Sequence, residues 1–163
     1  MSLGSSTSLT AGYPEDDTLN TFEGALKWFS VQANSVGCVA RKRWPDGIVR
    51  CPVCGGSEVR YLALRGLWEC RKRHPKSQFS IRVGTIFEDS HIPLGLWLAG
   101  IWMVANLTKP SSHEVARRLG ITQKSAWSML RRIKCASKTA EEKRDSQFGL
   151  SVRDRQSESL RWE

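Results

Sequence analysis

The stretch Cys-Pro-Val-Cys-Gly-Gly at residues 51–56, followed by Cys-Arg-Lys-Arg-His at residues 70–74, decides how the middle of this chain folds. Two cysteines separated by two residues place two ligands at one loop tip, and the glycines after them let the backbone turn around a metal ion. Fifteen residues lie between this pair and Cys70, a spacing typical of zinc sites built from two such pairs. A second Cys-x-x-Cys would end at position 73, which is Arg73, so His74 is the next candidate for a fourth ligand.

Three cysteines and one histidine are a normal ligand set for tetrahedral Zn²⁺. The spacing therefore predicts a structural zinc site, with every coordination position filled by protein, whose ligands are Cys51, Cys54, Cys70 and His74. Other candidates for the fourth ligand are Cys38, His91 and His113. Each of them is predicted to lie in a different element from Cys70 and His74. The alternative is that Cys51 and Cys54 are buried core cysteines and that His74 is a surface residue.

Short strands are predicted around the cysteines. Polar and apolar residues alternate there, and glycine and proline punctuate the alternating runs. The predicted strands are residues 48–50, 59–62, 67–70 and 78–83. Three strands of this size cannot bury enough surface to be stable alone, so something else must hold them together.

Helical patterns flank this strand region. Residues 18 to about 43 carry apolar residues at helical spacing, and the turn Trp-Pro-Asp-Gly at 44–47 ends that helix. A second helix begins near Pro93, a residue suited to a first turn, and its apolar run continues to Ala105.

Residues 111–133 have the pattern of a helix-turn-helix. A serine pair beginning at Ser111 caps the first helix, Gly120 breaks it, and Thr122 caps a second helix that ends at about Lys134. Small or apolar residues occupy the positions where the helices would meet. They are Val115, Ala116, Leu119, Ile121, Ala126, Met129, Leu130 and Ile133. The alternative is a three-helix bundle with a basic face.

The second helix of this pair carries the predicted DNA contacts, because the first turn of such a helix enters a major groove. Glutamine can read adenine and lysine can read guanine, whereas the later arginines are expected at phosphates. The predicted DNA-binding residues are Gln123, Lys124, Ser125, Ser128, Arg131, Arg132 and Arg117. Trp127 is interpreted as a core residue, the other option being a stack at the edge of the DNA.

The positive charge is concentrated in one part of the chain. Residues 37–134 carry eighteen Lys and Arg against six Asp and Glu, a net charge of +12, while residues 1–36 have a net charge of −3. Twelve of the eighteen basic residues are arginines, which suit phosphate and base recognition. This distribution indicates a surface that meets nucleic acid, the alternative being an ordinary solvated surface.

The sequence predicts a cytoplasmic protein with no membrane partner. The N-terminal seventeen residues have no basic region followed by an apolar one, as a secretory signal would. The most apolar stretch, residues 94–107, is about fourteen residues long and too short to cross a bilayer. Five cysteines are an odd number, which favours metal binding over disulfides.

These features predict an α+β fold: a small zinc ribbon of three short antiparallel strands, preceded by a helix and followed by a three-helix bundle containing the helix-turn-helix. Residues 1–17 are predicted to be disordered, 18–90 to form the N-terminal helix and ribbon, and 91–135 to form the helix-turn-helix. Residues 136–163, which lose apolar periodicity, are predicted to be an unstructured tail without a catalytic domain.

The chain resembles the N-terminal region of zinc-ribbon transposases from bacterial insertion sequences. The likeness covers roughly residues 20–135, and the motifs that carry it are RWPDGIVRCPVCGG at 43–56, LWECRKRHPKSQFSIRVGTIFEDS at 67–90, Pro-Leu-x-x-Trp at 93–97 and LGITQKSAWSMLRRI at 119–133. The resemblance implies that ribbon and helix-turn-helix bind the terminal inverted repeats of the element. It also implies the same four metal ligands, and a DNA-reading helix over residues 123–132.

The resemblance ends after Cys135. In the family an RNase-H-like domain follows, whose acidic residues hold two divalent metals for strand cleavage and transfer. Here Asp145 and Asp154 lie in polar, unpatterned sequence, and 28 residues remain. This chain by itself is therefore expected not to cut DNA.

Three functions are compatible with these features. The first is a DNA-binding part of a transposase that recognises transposon ends without catalysis, and the second is a DNA-binding repressor or regulator derived from one. The third is a zinc-ribbon module that binds protein or RNA. The expected partner is the double-stranded DNA of transposon ends, and intact transposase or a second copy of the chain are further candidates.

Overall fold

The computed structural model describes residues 18–147, with side chains for residues 18–140. The predictions of disorder for residues 1–17 and of an unstructured tail for 148–163 lie outside the described residues. Five helices and three strands occur in the described part of the chain, so the α+β class is confirmed. In order they are α1 (Phe22–Ser30), α2 (Gln32–Arg43), β1 (Val59–Leu62), β2 (Leu67–Cys70), β3 (Gln78–Phe79), α3 (Leu94–Asn106), α4 (Ser112–Leu119) and α5 (Gln123–Gln147).

The N-terminal segment forms two helices, which corrects the prediction of a single helix. The chain is extended at Val31, with φ −75° and ψ 114°, although no glycine or proline marks a break there. A break of this kind leaves the last backbone carbonyls of α1 without partners inside the helix. Two side chains of α2 donate hydrogen bonds to these carbonyls. The amide of Asn34 donates to the carbonyl oxygen of Trp28 at 3.0 Å, and the buried hydroxyl of Ser35 donates to that of Phe29.

The three strands form one antiparallel sheet in the order β1-β2-β3. Tyr61 lies opposite Trp68, and Trp68 lies opposite Phe79. The predicted strands 59–62 and 67–70 are present, and the chain between them turns at Gly66, which has φ +62°. A glycine adopts this left-handed conformation without the steric cost of a Cβ atom.

Two strand predictions need correction. Residues 48–50 are not a strand, because the backbone N–H of Ile48 donates to a carboxylate oxygen of Asp46 at 3.0 Å and closes a turn. The third strand ends at Phe79 rather than at residue 83. The backbone N–H of Val83 donates to the carbonyl oxygen of Ser80 at 3.3 Å, so the chain turns here instead of continuing along the sheet.

An aromatic cluster attaches the sheet to the end of α2. Trp68 is 3% exposed, and its ring lies edge-on to that of Trp44 with centroids 5.7 Å apart. On the sheet it stacks with Phe79 at 6.3 Å and contacts Tyr61 at 5.1 Å. Rings of this size dominate the burial energy of a small domain. The sheet is therefore held by packing as well as by its cysteine loops.

The predicted helices of the C-terminal half are present, with the predicted caps. The hydroxyl of Ser111 accepts a hydrogen bond from the backbone N–H of Glu114 at 3.2 Å, and that of Thr122 accepts one from Ser125 at 3.2 Å. Gly120 ends α4 in the left-handed conformation at φ +64°. The apolar positions predicted for the helix pair are buried, except Ala116 and Ile121, which are half-buried.

The first helix of this half, α3, contacts each of the other four helices. It packs against α1 on one side and against α4 and α5 on the other. A Cβ atom at Gly100 would lie 2.5 Å from the sulfur of Met129, and one at Gly95 would lie 2.2 Å from the carbonyl oxygen of Phe29. Glycine at these two positions lets α3 approach α5 and the end of α1 closely. Within residues 18–147, no helix is both long and apolar enough to span a membrane.

Helix α5 runs to Gln147, beyond the predicted end at about Lys134, so residues 136–147 are not an unstructured tail. Residues 121–147 contain neither glycine nor proline, and they include alanine, lysine, arginine and glutamate, which favour helix. The hydroxyl of Thr139 donates back to the carbonyl oxygen of Cys135 at 3.1 Å, within the helix itself. The helix-favouring composition therefore extends α5 beyond the point at which its apolar periodicity ends.

Candidate metal centre and nucleic-acid interface

The first ligand pair lies in a tight loop before β1. The backbone N–H of Cys51 donates to the carbonyl oxygen of Gly56, and the N–H of Gly55 donates to that of Cys51, both at 2.9 Å. Gly55 has φ +69°, a conformation that a larger residue adopts only with strain. These contacts curl the loop so that both sulfur atoms face the same point.

The second pair lies at the end of β2 and in the loop after it. The backbone N–H of Cys70 donates to the carbonyl oxygen of Ser77 at 2.8 Å, which folds the loop back on itself. His74 contacts the carbonyl oxygen of Pro75 through Nδ1 at 2.8 Å. A histidine that donates from one ring nitrogen has its other nitrogen free to bind a metal.

The four predicted ligands come together in one cluster, in which all ligand atoms lie within 4.8 Å of one another. The sulfur of Cys51 lies 3.4 Å from Nε2 of His74, and the sulfurs of Cys54 and Cys70 lie 3.6 Å apart. Around a tetrahedral zinc, two thiolates would be about 3.8 Å apart, and a thiolate and an imidazole nitrogen about 3.6 Å apart. The cluster therefore fits a four-coordinate metal ion. The rival ligands Cys38, His91 and His113 are not part of it.

Backbone groups prepare the buried thiol of Cys51 for ionisation. Burial raises its pKa, but hydrogen bonds from the backbone N–H groups of Cys54 and Val53, followed by those from the neighbouring thiols, outweigh this and lower it to about 7. Burial raises the pKa of Cys70, and its neighbours Cys54 and Cys51 add to the rise. The thiolate is the form that binds metal, so a positive ion in the cluster would favour ionisation of all three thiols.

The predicted DNA-binding residues lie on α4 and α5. Gln123, Lys124, Ser128, Arg131 and Arg117 are exposed, whereas Ser125 and Arg132 are half-buried. The amide of Gln123 donates to Nε2 of His113 at 3.2 Å, which links the start of α5 to the start of α4. Exposure along one side of α5 is consistent with these predictions.

Trp127 is 55% exposed, so its interpretation as a core residue is wrong. The core side of α5 is already filled by Ala126, Met129 and Leu130, and position 127 points away from that side. The guanidinium of Arg131 lies over the Trp127 ring, 5.6 Å from its centroid. The exposed face of α5 thus presents an aromatic ring beside a cation.

Three arginines hold the loop at residues 80–90, which joins the ribbon to the C-terminal helices. Arg132 donates to the carbonyl oxygens of Ile86 at 3.1 Å and Glu88 at 2.7 Å. Arg43 and Arg82 donate to backbone carbonyls of the same loop at 2.9 and 2.7 Å. The sequence contains no signal for this role, because the carbonyls that these side chains bind are brought near them only by the fold.

Comparison with known proteins identifies one segment. Residues 37–72 match the family model described as the transposase zinc-ribbon domain. The match includes three of the four clustered residues and ends two positions before His74. It confirms the recognition of a transposase zinc ribbon in the sequence. No curated protein and no solved structure is significantly similar to the chain.

Proposed function

Because residues 37–72 match the transposase zinc-ribbon domain, we propose that this chain is a zinc-dependent DNA-binding part of an insertion-sequence transposase. In this proposal it recognises the terminal inverted repeats of the element during DNA transposition. The observation that carries the proposal is the convergence of Cys51, Cys54, Cys70 and His74 at metal-binding distances within and beside the matched ribbon.

Zinc is the metal that this ligand set suits best. Thiolates and imidazole select zinc over magnesium, calcium and manganese, which prefer oxygen ligands. Four protein ligands fill a tetrahedral shell and leave no position for water or substrate. The role we assign to the zinc is therefore structural: to hold the loop before β1 against the loop after β2.

Helix α5 is the proposed reading element. Its first turn follows a capped turn at Gly120–Thr122 and exposes Gln123 and Lys124, side chains that hydrogen-bond adenine and guanine. Lys124 and Arg131 are the cations proposed to contact DNA along the exposed side of α5. Arg132 is assigned instead to the 80–90 loop, because its guanidinium binds two carbonyl oxygens there.

Binding to the terminal repeats of the source element tests this proposal. A labelled duplex of one repeat is titrated with the zinc-loaded chain at fixed salt, against a duplex of the same composition in shuffled order. Specific DNA-binding proteins prefer their site by about 10³-fold or more. Changing both Gln123 and Lys124 to alanine should remove most of that preference, while changing Lys27 and Gln32 on the N-terminal helices should not. Equal affinity for repeat and shuffled duplex contradicts the proposal.

We assign no cleavage reaction to the part of the chain that the structure describes, because the candidate metal cluster in it offers no open position for a substrate. Incubation of the repeat duplex with the chain and Mg²⁺ or Mn²⁺ should leave both strands intact on a denaturing gel. Strand breaks that are absent when the protein is omitted, and that recur with an independent preparation of the protein, would contradict this assignment.

A further inference from the structure

A basic groove lies beside the exposed face of α5. It is a concave surface of about 510 Å³ between the loop that precedes α4 and the middle of α5. Four cations line it, and among its lining residues none is acidic. The residues on which the inference depends are Lys109, Trp127, Arg131, Lys134 and Lys138.

Four of these residues form one stripe along α5. Trp127, Arg131, Lys134 and Lys138 follow one another at intervals of four, three and four positions, the spacing that keeps side chains on one side of a helix. All four are exposed. Lys109 lies across the groove in the loop before α4, so positive charge borders it on both sides.

We propose that this groove binds the sugar–phosphate backbone of the DNA whose bases the first turn of α5 reads. The inference rests on the proposed function and extends its footprint to residues that the sequence did not indicate as DNA contacts. In this arrangement Lys109, Lys134 and Lys138 contact phosphates, and the ring of Trp127 packs against deoxyribose.

The length of α5 supports this placement. The helix rises about 22 Å between Gln123 and Lys138, at about 1.5 Å per residue. A major groove is only about 12 Å wide. If α5 enters the groove by its first turn and crosses it at an angle instead of following it, Lys134 and Lys138 are beyond the edge of the groove, where the phosphates of one strand are. Trp127 and Arg131 lie on α5 between its first turn and Lys134, so they connect the proposed base contacts with the proposed phosphate contacts.

Salt dependence of binding tests the proposal without knowledge of the target sequence, since backbone contacts do not depend on sequence. The affinity of the zinc-loaded full chain for a 30-base-pair duplex of arbitrary sequence, about three helical turns, is measured by fluorescence anisotropy over a range of salt concentrations. Each lost phosphate contact lowers the slope of log affinity against log salt by about 0.9. The K134Q/K138Q variant should therefore lose about 1.8 of the slope.

A charge-matched variant provides the control. K27Q/K42Q removes two exposed lysines from α1 and α2, and its slope should equal that of the wild-type chain. An equal loss of slope in both variants, or an unchanged slope in K134Q/K138Q, overturns the proposal. Circular dichroism checks that both variants keep the wild-type helix content.

The role of Trp127 has a separate signature. W127A keeps every charge, so it should weaken binding several-fold by the same factor at all salt concentrations, whereas W127F should retain most of the affinity. A single strand of the same length that binds more tightly than the duplex would overturn the assignment to duplex backbone in favour of base stacking on Trp127.

These outcomes are distinguishable from failure of the proposed function. Equal affinity for repeat and shuffled duplex would contradict end recognition, while the slope comparison would still report on the groove. An unchanged slope in K134Q/K138Q would contradict the groove and leave end recognition untouched. Absence of any duplex binding by the wild-type chain at low salt would overturn both.

Discussion

His74 completes the candidate metal cluster one position after the place where a second Cys-x-x-Cys pair would put a cysteine. A fourth cysteine would lie at position 73, one residue earlier than His74. The longer imidazole reaches the cluster through Nε2 from this later position, while its other nitrogen is held by the carbonyl oxygen of Pro75. Arg73 is consequently exposed and adds to the positive charge around the cluster.

Replacement of His74 by alanine should lower zinc content and stability together. With one ligand removed, part of the binding free energy is lost, which for structural zinc in finger peptides is on the order of 10 kcal/mol in total. H91A is the matched control, because His91 is an exposed histidine outside the cluster. Metal analysis after dialysis and urea denaturation measure the two effects. A zinc content of one per chain in H74A with wild-type stability would exclude His74 as a ligand.

The two tryptophans Trp68 and Trp127 should differ sharply in their effect on stability. W68A removes a ring that is 3% exposed and packed among Trp44, Tyr61 and Phe79, so it should destabilise the chain by about 3–5 kcal/mol. W127A removes a ring that is 55% exposed and should change stability by less than about 0.5 kcal/mol. Urea denaturation followed by far-ultraviolet circular dichroism compares them. Comparable losses in the two variants would contradict the burial described for these rings.

The 80–90 loop determines how the ribbon is attached to the helices. It contains no helix or strand, and arginines from α2, from α5 and from the loop itself bind its backbone carbonyls. A carbonyl oxygen that loses a charged donor and stays buried is costly. Orientation of the ribbon against α5 therefore depends on a few charged side chains as well as on apolar packing.

Arg131 and Arg132 are adjacent in sequence but should behave differently when changed to alanine. R132A should destabilise the chain by about 1–3 kcal/mol, because it removes the donor for two carbonyl oxygens of the loop. R131A should leave stability nearly unchanged and lower the salt slope of DNA binding by about 0.9. Denaturation and salt titration, each applied to both variants, test this. The assignment is wrong if R131A destabilises the chain as much as R132A does.

For the whole molecule, the packing of the helices and the metal cluster provide stability in different regions. Helices α1, α3, α4 and α5 share a core that includes Ala99, Met103, Val115 and Met129. The ribbon adds Trp68 and Phe79 to the same buried cluster, and its two cysteine loops are the parts that a metal would hold. Loss of metal is therefore expected to affect the two regions unequally.

Chelation of zinc should unfold the ribbon and leave the helical core largely folded. The near-ultraviolet circular dichroism of the tryptophan cluster and the sheet signal should decrease, while most of the helical far-ultraviolet signal remains. Added zinc should restore the lost signal, and magnesium, which prefers oxygen ligands, should not. A ribbon that keeps its near-ultraviolet spectrum after complete removal of metal would show that aromatic packing alone is sufficient.

Much of the candidate site was predictable because it depends on local sequence. The spacing of Cys51 and Cys54, the glycine after them, the cap at Thr122 and the turn at Gly120 each act within a few residues. Ligand spacing, cap hydrogen bonds and left-handed glycines have short-range geometry that is independent of the rest of the fold. The α+β class followed from the change between strand and helix periodicity.

The features that the sequence did not reveal depend on what lies across space from a residue. Arg132 meets carbonyl oxygens 44 and 46 positions away. The break at Val31 is stabilised by bonds that span six positions between α2 and the end of α1, and no glycine or proline marks it. Trp127 is exposed because four other residues of α5, Ala126, Met129, Leu130 and Ile133, already fill the core side.

The sequence by itself indicated the candidate metal ligands, the helix caps and the turns, because the spacing within each ligand pair, each cap and each turn depends on residues close together in the chain. Only the tertiary structure decided which arginines hold the fold and which face solvent, and where an aromatic ring is left exposed beside lysines. The same type of side chain can bind the protein's own backbone or face solvent. Which of these it does depends on the long-range contacts that form when the elements pack.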